Sequence, residues 1–394
     1  MPRLTVSALL VTMVFVGQAN AHQPFRFPEG KCEHGELRYV NGVPVLVVDG
    51  TPDQIGSATG QLALGPGRRM ASYPDDVLNE FYLGMMRTPL LYAGKYMVAQ
   101  FPTDYHAEME AMARAPHVDR DLAVLGNTMF DLKKVIACSA LLVQPHRSTT
   151  GGSLIGRNLD YPSLGYAHEY TLVTVYRPSG ARHAFASVGF PGIVGCLSGI
   201  NDAGLAVAVL EVAQVKSGEK RFNADGIPYA LCYRKLLEDC TTIDEAAKLL
   251  SQLPRTGLSN LVVADRNDVA TFEITPERVV VRRGNNGACA CANHFCTDEL
   301  KSAVSINFFD TFGRFNRLAK LGELDRQLSP ADLQVGLHQA CHDKYTLQAM
   351  VFECRSLRLH LSAGTIPASA GEMRTVELAP LFFPTFRGNS NGTR

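Results

Sequence analysis

Lys134-Val135-Ile136-Ala137-Cys138-Ser139-Ala140-Leu141-Leu142 is an apolar, strand-like run with a thiol near its head. After one polar turn, Ser153-Leu154-Ile155 leads into Gly156-Arg157-Asn158-Leu159-Asp160-Tyr161. The two runs read as a β-hairpin carrying a nucleophile, because cross-strand neighbours bring side chains to within about 5 Å. An arginine beside a thiol favours the thiolate, and a carboxylate can hold and orient an amine. Gly156 allows a neighbouring element to come close to the backbone. The plainer readings are a buried cysteine and a surface ion pair of small energetic value. The position of Arg157 and Asp160 on the partner strand favours the functional one.

Working outward, the residues before this hairpin are mainly helical. One hairpin precedes the helices, Glu36–Val40 and Val43–Val48 around Asn41-Gly42. Thr51-Pro52 starts a helix as cap and first turn, and Pro74-Asp75-Asp76 starts another. Tyr105–Ala115 and Asp119–Lys134 have helical spacing of apolar residues. From Val135 onward, short strands dominate: Val135–Val143, Ser153–Leu159, Tyr170–Tyr176, His183–Val188, Leu205–Val212, Leu261–Asp265, Val269–Ile274, Val279–Arg282, Leu347–Glu353 and Leu357–Leu361. Helices are expected at Tyr229–Asp239, Ile243–Leu253, Asp310–Leu321 and Pro330–Ala340. Strands, then helices, then strands predict an α+β layered domain rather than βαβ units. No repeat and no low-complexity linker interrupts it.

The 394 residues are 46% hydrophobic and 19% charged, which is enough for a large core. The 38 basic and 38 acidic residues balance, which argues against a nucleic-acid partner or an anionic surface. Met1-Pro2-Arg3, the apolar Leu4–Val16 and Ala19-Asn20-Ala21 read as a signal peptide over residues 1–21. Export to the periplasm or the exterior is therefore expected, with no transmembrane anchor after signal removal. Ten cysteines suit an oxidising compartment but are too few for a disulfide scaffold in a chain this long. Cys289, Cys291, His294 and Cys296 have zinc-ligand chemistry, though His294 reads better as a packed histidine.

The segment Ala137-Cys138-Ser139 … Gly156-Arg157-Asn158-Leu159-Asp160 resembles the start of the mature subunit in N-terminal-nucleophile hydrolases, in particular the acyl-CoA:6-aminopenicillanic acid acyltransferase family (peptidase family C45). Further pieces resemble that family in order: Asp49–Gly56 with Gly60, Glu108–Ala113, Leu125-Gly126-Asn127, Gly192–Gly195, Ser198–Leu205, Ala292-Asn293-His294-Phe295 and Thr346–Gly364. The resemblance implies a four-layer αββα sandwich and a precursor that cuts itself between Ala137 and Cys138. Residues 22–137 would stay as an α-chain on the catalytic β-chain, residues 138–394. The freed α-amine of Cys138 would be the base for its own thiol. Arg157 and Asp160 would flank the pair. Asn293 would help form the oxyanion hole through its side-chain amide, and Glu211 through its backbone N–H. Relatives carry an arginine just before the last strand pair. Here His342-Asp343-Lys344 stands there, so Lys344 is the candidate replacement.

The expected chemistry is cleavage or transfer of acyl groups of small linear amides, with no cofactor and no metal. A papain-like protease using Cys138 and His294 would need its thiol on a helix and a tryptophan nearby, and the chain has no tryptophan. A non-catalytic exported binding protein of the same fold would show one intact chain and an ordinary thiol.

Overall fold

The computed structural model describes residues 23–132, 137–284, 286–304 and 306–383. The expected leader over residues 1–21 lies outside them. The strands are β1 (Gly30–Cys32), β2 (Gly35–Val40), β3 (Val43–Gly50), β4 (Ala137–Val143), β5 (Leu154–Asp160), β6 (Leu172–Pro178), β7 (Phe185–Gly189) and β8 (Ser198–Asn201). They continue with β9 (Ala206–Glu211), β10 (Ser259–Ala264), β11 (Val269–Ile274), β12 (Val279–Arg282), β13 (Ala288–Cys291), β14 (Thr346–Glu353), β15 (Arg358–Ala363) and β16 (Arg374–Glu377). The helices before Cys138 are α1 (Pro52–Thr59), α2 (Arg68–Ala71), α3 (Tyr73–Glu80), α4 (Arg87–Val98), α5 (Thr103–Ala113) and α6 (Arg120–Leu132). Those after it are α7 (Tyr229–Asp239), α8 (Ile243–Gln252), α9 (Thr311–Gly322), α10 (Pro330–Gln339) and α11 (Ala379–Phe382).

One sheet has the order β1-β2-β3-β6-β7-β8-β9-β10-β11-β12 and the other β13-β4-β5-β14-β15-β16. They face each other, β4 lying against β9, β10 and β11. Helix α1 packs on β3 and β6, and α7 and α8 pack on β8, β9, β11 and β12, all covering the larger sheet. Helices α9 and α10 cover β13, β4, β5 and β14 on the outer face of the smaller one. The result is a four-layer αββα sandwich. Its inner strands are buried on both faces, which explains why β4 and β5 are apolar runs without alternation and every residue in them is buried.

Local signals hold where the chain makes its own bonds. Asn41 and Gly42 turn the first hairpin with positive φ angles, 49° and 77°. Thr51 caps α1 through a capping box with Gln54. Gly156 sits under α10, where a Cβ would come within 3.0 Å of Leu333. The parallel pairing of β3 with β6 joins strands far apart in the chain, and no local pattern announces it.

The helices before Cys138 are bolted to the rest by buried charge. Arg234 on α7 gives two hydrogen bonds to the Glu108 carboxylate on α5, at 2.8 and 2.7 Å, and a third to Glu238 at 2.9 Å. All three residues are 2% exposed or less. Tyr105 of α5 donates to Glu238 at 2.7 Å, and its ring and that of Tyr176 each lie 4.6 Å from the Arg234 guanidinium. All ten cysteines are free thiols.

Candidate active site

The site is built where a strand stops. β13 pairs with β4 as far as Cys291 opposite Ala140. Cys138, two residues further along β4, therefore has no strand partner on that side, and side chains take the place of the ladder. The Cys138 N–H donates to Asn293 Oδ1 at 2.8 Å, and the Cys138 carbonyl accepts from Arg314 Nη1 at 2.5 Å. Arg314 Nη2 also donates to Asn293 Oδ1, at 2.7 Å. One guanidinium and one amide thus hold the Cys138 backbone on both sides of its Cα.

On its other edge β4 pairs with β5, setting Cys138 opposite Leu159, Ala137 opposite Asp160 and Ala140 opposite Arg157. Arg157 Nη2 lies 3.3 Å from Cys138 Sγ. The rest of its guanidinium is pinned by Ser198 Oγ at 2.6 Å and the Val209 carbonyl at 3.0 Å. Asp160 accepts from Thr346 Oγ1 at 2.6 Å through Oδ1. Its Oδ2 makes no hydrogen bond among the described residues and lies 3.6 Å from Arg314 Nη1. Burial pushes the Asp160 carboxyl up from its usual value, opposed by Arg314 and Thr346.

Of the residues singled out in the sequence, Cys138, Arg157, Asp160, Glu211 and Asn293 converge here. Three observations bear on the roles expected of them. Burial pushes the Cys138 thiol up to about 11, aided by Asp160 and Glu211 and only partly opposed by Arg157 and Arg314. Burial thus outweighs the adjacent arginine and disfavours the thiolate. Second, the Asn293 amide donates to the Glu211 carbonyl at 2.8 Å, so its Nδ2 is already engaged. The Glu211 side chain, 3% exposed, also belongs to the site and accepts from Tyr229 at 2.9 Å. Third, Lys344 is exposed, and the second buried cation beside Arg157 is Arg314, 1% exposed, on α9. A signal was present: Arg314 falls with Thr311, Phe315 and Leu318 on the apolar stripe of an amphipathic helix.

His294 is a packed residue. Its ring lies 4.5 Å from that of Phe312, and its Nδ1 bonds Thr311 Oγ1 at 2.9 Å. Burial, with Arg282 and Arg314, pushes it down to about 4. It makes no thiol–imidazole pair with Cys138, whose sulfur meets Arg157 instead, and Cys138 lies on a strand; neither feature fits the papain-like reading. Cys289 bonds Arg282 Nη1 at 3.2 Å, and among the described residues no group of three or more His, Cys, Asp or Glu side chains is arranged to hold a metal ion.

Beside Cys138 lies a narrow apolar cavity of about 40 Å³. Ala123, Met129 and Phe130 of α6 and Tyr73 of α3 form walls, and Leu159 and Tyr161 line it next to Cys138. Among the described residues no helix is long and apolar enough to cross a membrane.

Residues 147–357, more than half the chain, match the family model of acyl-coenzyme A:6-aminopenicillanic acid acyl-transferase. The chain belongs to this family of acyl-transferring enzymes. The matched span contains Arg157, Asp160, Glu211, Asn293 and Arg314; Cys138 precedes it. An uncharacterized protein of Archaeoglobus fulgidus is 22% identical over 345 residues, covering 74% of this chain and 57% of that protein. The chain thus spans little more than half the length of that curated relative. Among solved structures, a mutant of the conjugated bile acid hydrolase of Clostridium perfringens aligns with a TM-score of 0.43 and 14% identity, over 61% of this chain and 92% of the other. The Caenorhabditis elegans ortholog of N-acylethanolamine-hydrolyzing acid amidase gives 0.42 and 17%, over 61% and 100%. Penicillin V acylase of Agrobacterium tumefaciens gives 0.39 and 11%, over 63% and 93%.

Proposed function

We propose that the chain is an exported precursor that cuts itself between Ala137 and Cys138 and then uses Cys138 as the nucleophile of an amide hydrolase or acyltransferase. The observation that carries this is the treatment of one residue: Cys138 Sγ faces a pinned guanidinium, while Cys138 N–H and C=O are gripped by Asn293 and Arg314. In the first reaction Sγ attacks the Ala137 carbonyl carbon and the peptide C–N bond breaks. The thiol proton passes to the departing nitrogen of Cys138. Water then hydrolyses the thioester, giving a carboxylate on Ala137 and a free thiol and α-amine on Cys138.

In turnover that amine, with an ordinary pKa of about 7.7–8.0, takes the thiol proton. The thiolate attacks the substrate's acyl carbon, and the leaving amine departs with the proton. Water or another amine receives the acyl group. Asp160 Oδ2, without a hydrogen bond among the described residues of the uncut chain, is the acceptor that would hold the new ammonium. Asn293 Nδ2 must leave the Glu211 carbonyl to act as an oxyanion donor. Residues 22–137 remain as the α-chain, held by the Glu108–Arg234–Glu238 cluster.

Both reactions attack the same kind of carbon, so the substrate's acyl group takes the side once occupied by Ala137 and the residues before it. Helix α6, which runs toward that side, walls the apolar cavity. The substrate is accordingly a small linear amide whose apolar acyl group meets that apolar lining.

Denaturing gels with N-terminal sequencing test the first claim: two fragments are expected, the larger starting at Cys138. Cys138→Ala should stay whole and inactive. An intact, fully active chain would sink self-processing. A panel of N-acyl amino acids, penicillins and N-acyl amines, scored for amine release, tests the second.

A further inference from the structure

Around Cys138, most polar donors are spoken for. Arg314 spends Nη1 and Nη2 on the Cys138 carbonyl and Asn293, and Asn293 spends Nδ2 on Glu211. Nearby tyrosines are likewise committed: Tyr73 donates to the Pro162 carbonyl at 2.5 Å and Tyr229 to Glu211 at 2.9 Å. Tyr161 is different. It is 4% exposed, and its hydroxyl is buried with no hydrogen-bond partner among the described residues. Its ring is set between Tyr73 and Phe130, at centroid distances of 5.5 and 6.1 Å. A sealed, unsatisfied hydroxyl is costly and uncommon in native proteins, and phenylalanine would fill the same space without the penalty.

Register says where this hydroxyl works. Cys138 faces Leu159, and Tyr161 follows two residues on, just past the end of β5. It sits about 7 Å further along, on the acyl side of the scissile bond. It lines the apolar cavity together with Leu159. Arg157 Nε also lacks a partner among the described residues, but Arg157 faces Ala140, on the opposite side of Cys138 from the acyl group. Burial, then the Glu211 charge, pushes the phenol well above its usual value, so it stays protonated and acts as a donor.

We propose that Tyr161 is a catalytic residue whose hydroxyl hydrogen-bonds the acyl carbonyl oxygen as that oxygen becomes an oxyanion. This rests on the assignment of Cys138 as the nucleophile. As Sγ bonds to the acyl carbon, the carbonyl π pair moves onto oxygen, and the phenol supports that charge without giving up its proton. When the C–N bond breaks, the pair returns to re-form the carbonyl, and the amine leaves with the proton carried by the Cys138 α-amine.

Tyr161→Phe tests this against the wild type. Removing an oxyanion donor of this kind should lower kcat about 10²–10³-fold while KM moves less than about threefold. Self-cleavage should slow likewise, since it passes through an oxyanion on Ala137. Alkylation of Cys138 by iodoacetamide and the Tm should not fall, which separates loss of the donor from a damaged site. Wild-type kcat and self-cleavage rates in the variant overturn the proposal, as does a rise in KM with kcat held. A wild-type protein whose Cys138 alkylates but which neither cuts itself nor turns over any amide refutes instead the assignment of Cys138, and with it the role given to Tyr161.

Discussion

Glu108→Ala removes two of the three carboxylate bonds that Arg234 makes from inside the protein. Arg234 and Glu108 are each 2% exposed, so neither has water as an alternative partner. Stripping one member from a buried pair costs about 3–5 kcal/mol, because the remaining charge stays desolvated. Here the lower end applies, since Arg234 keeps Glu238 at 2.9 Å and the Val194 carbonyl at 2.9 Å. Asp104, Glu238 and Arg182 also belong to the network, so the variant leaves two acids with two arginines, whereas the native cluster has an excess acid. A loss of about 3 kcal/mol is a little over two decades in the folding equilibrium. Urea unfolding of the purified protein gives the loss directly, and gel filtration shows whether the fragment before Cys138 still travels with the rest. Glu110→Ala is the control: Glu110 lies on the same helix, but its partner Arg120 is 51% exposed, and the pair contributes less than about 1 kcal/mol. If Glu108→Ala costs no more than Glu110→Ala, the cluster is not what joins the two parts.

Arg314→Lys keeps a charge but cannot span the Cys138 carbonyl and Asn293 Oδ1 with a planar fork, so self-cleavage should slow at least tenfold in a time course on denaturing gels. Asp160→Asn removes the carboxylate that stabilises the Cys138 ammonium; the amine then loses its proton more readily, and the acid limb of the kcat/KM profile should move to lower pH. His294 is held neutral down to about 4, whereas in the unfolded chain it takes a proton near 6.5. Between these values the unfolded state binds more protons, so stability drops as pH falls through that window, and His294→Gln should flatten this part of a Tm-against-pH curve.

The α+β layering was visible from Val135 onward because strands covered on both faces advertise themselves as apolar runs bounded by turns, whereas the four-layer αββα order came only through resemblance. Helices with their own caps, such as α8 behind Thr242, were equally plain. The position of β8, with glycine and serine in its four residues, was not, since its place in the sheet is set by neighbours rather than propensity. Cys138, Arg157 and Asp160 could be grouped because a hairpin relates them by simple register. Asn293 and Glu211 were grouped only through resemblance, being brought in by long-range packing. Arg314 escaped because an arginine in a helix is ordinarily solvent-facing, and only its place on the apolar stripe marked it.

The early end of β13 has a consequence for timing. A ladder bond belongs to a whole row of bonds and yields only when a strand peels away. Cys138 is instead restrained by two side chains whose torsions turn independently, so its nitrogen can change from amide to amine while β4 remains fixed between β5 and β13. On the proposed self-cleavage, the scaffold would tolerate a break in its own backbone at one of its most buried positions, because Cys138 is not stitched into the fabric on that edge.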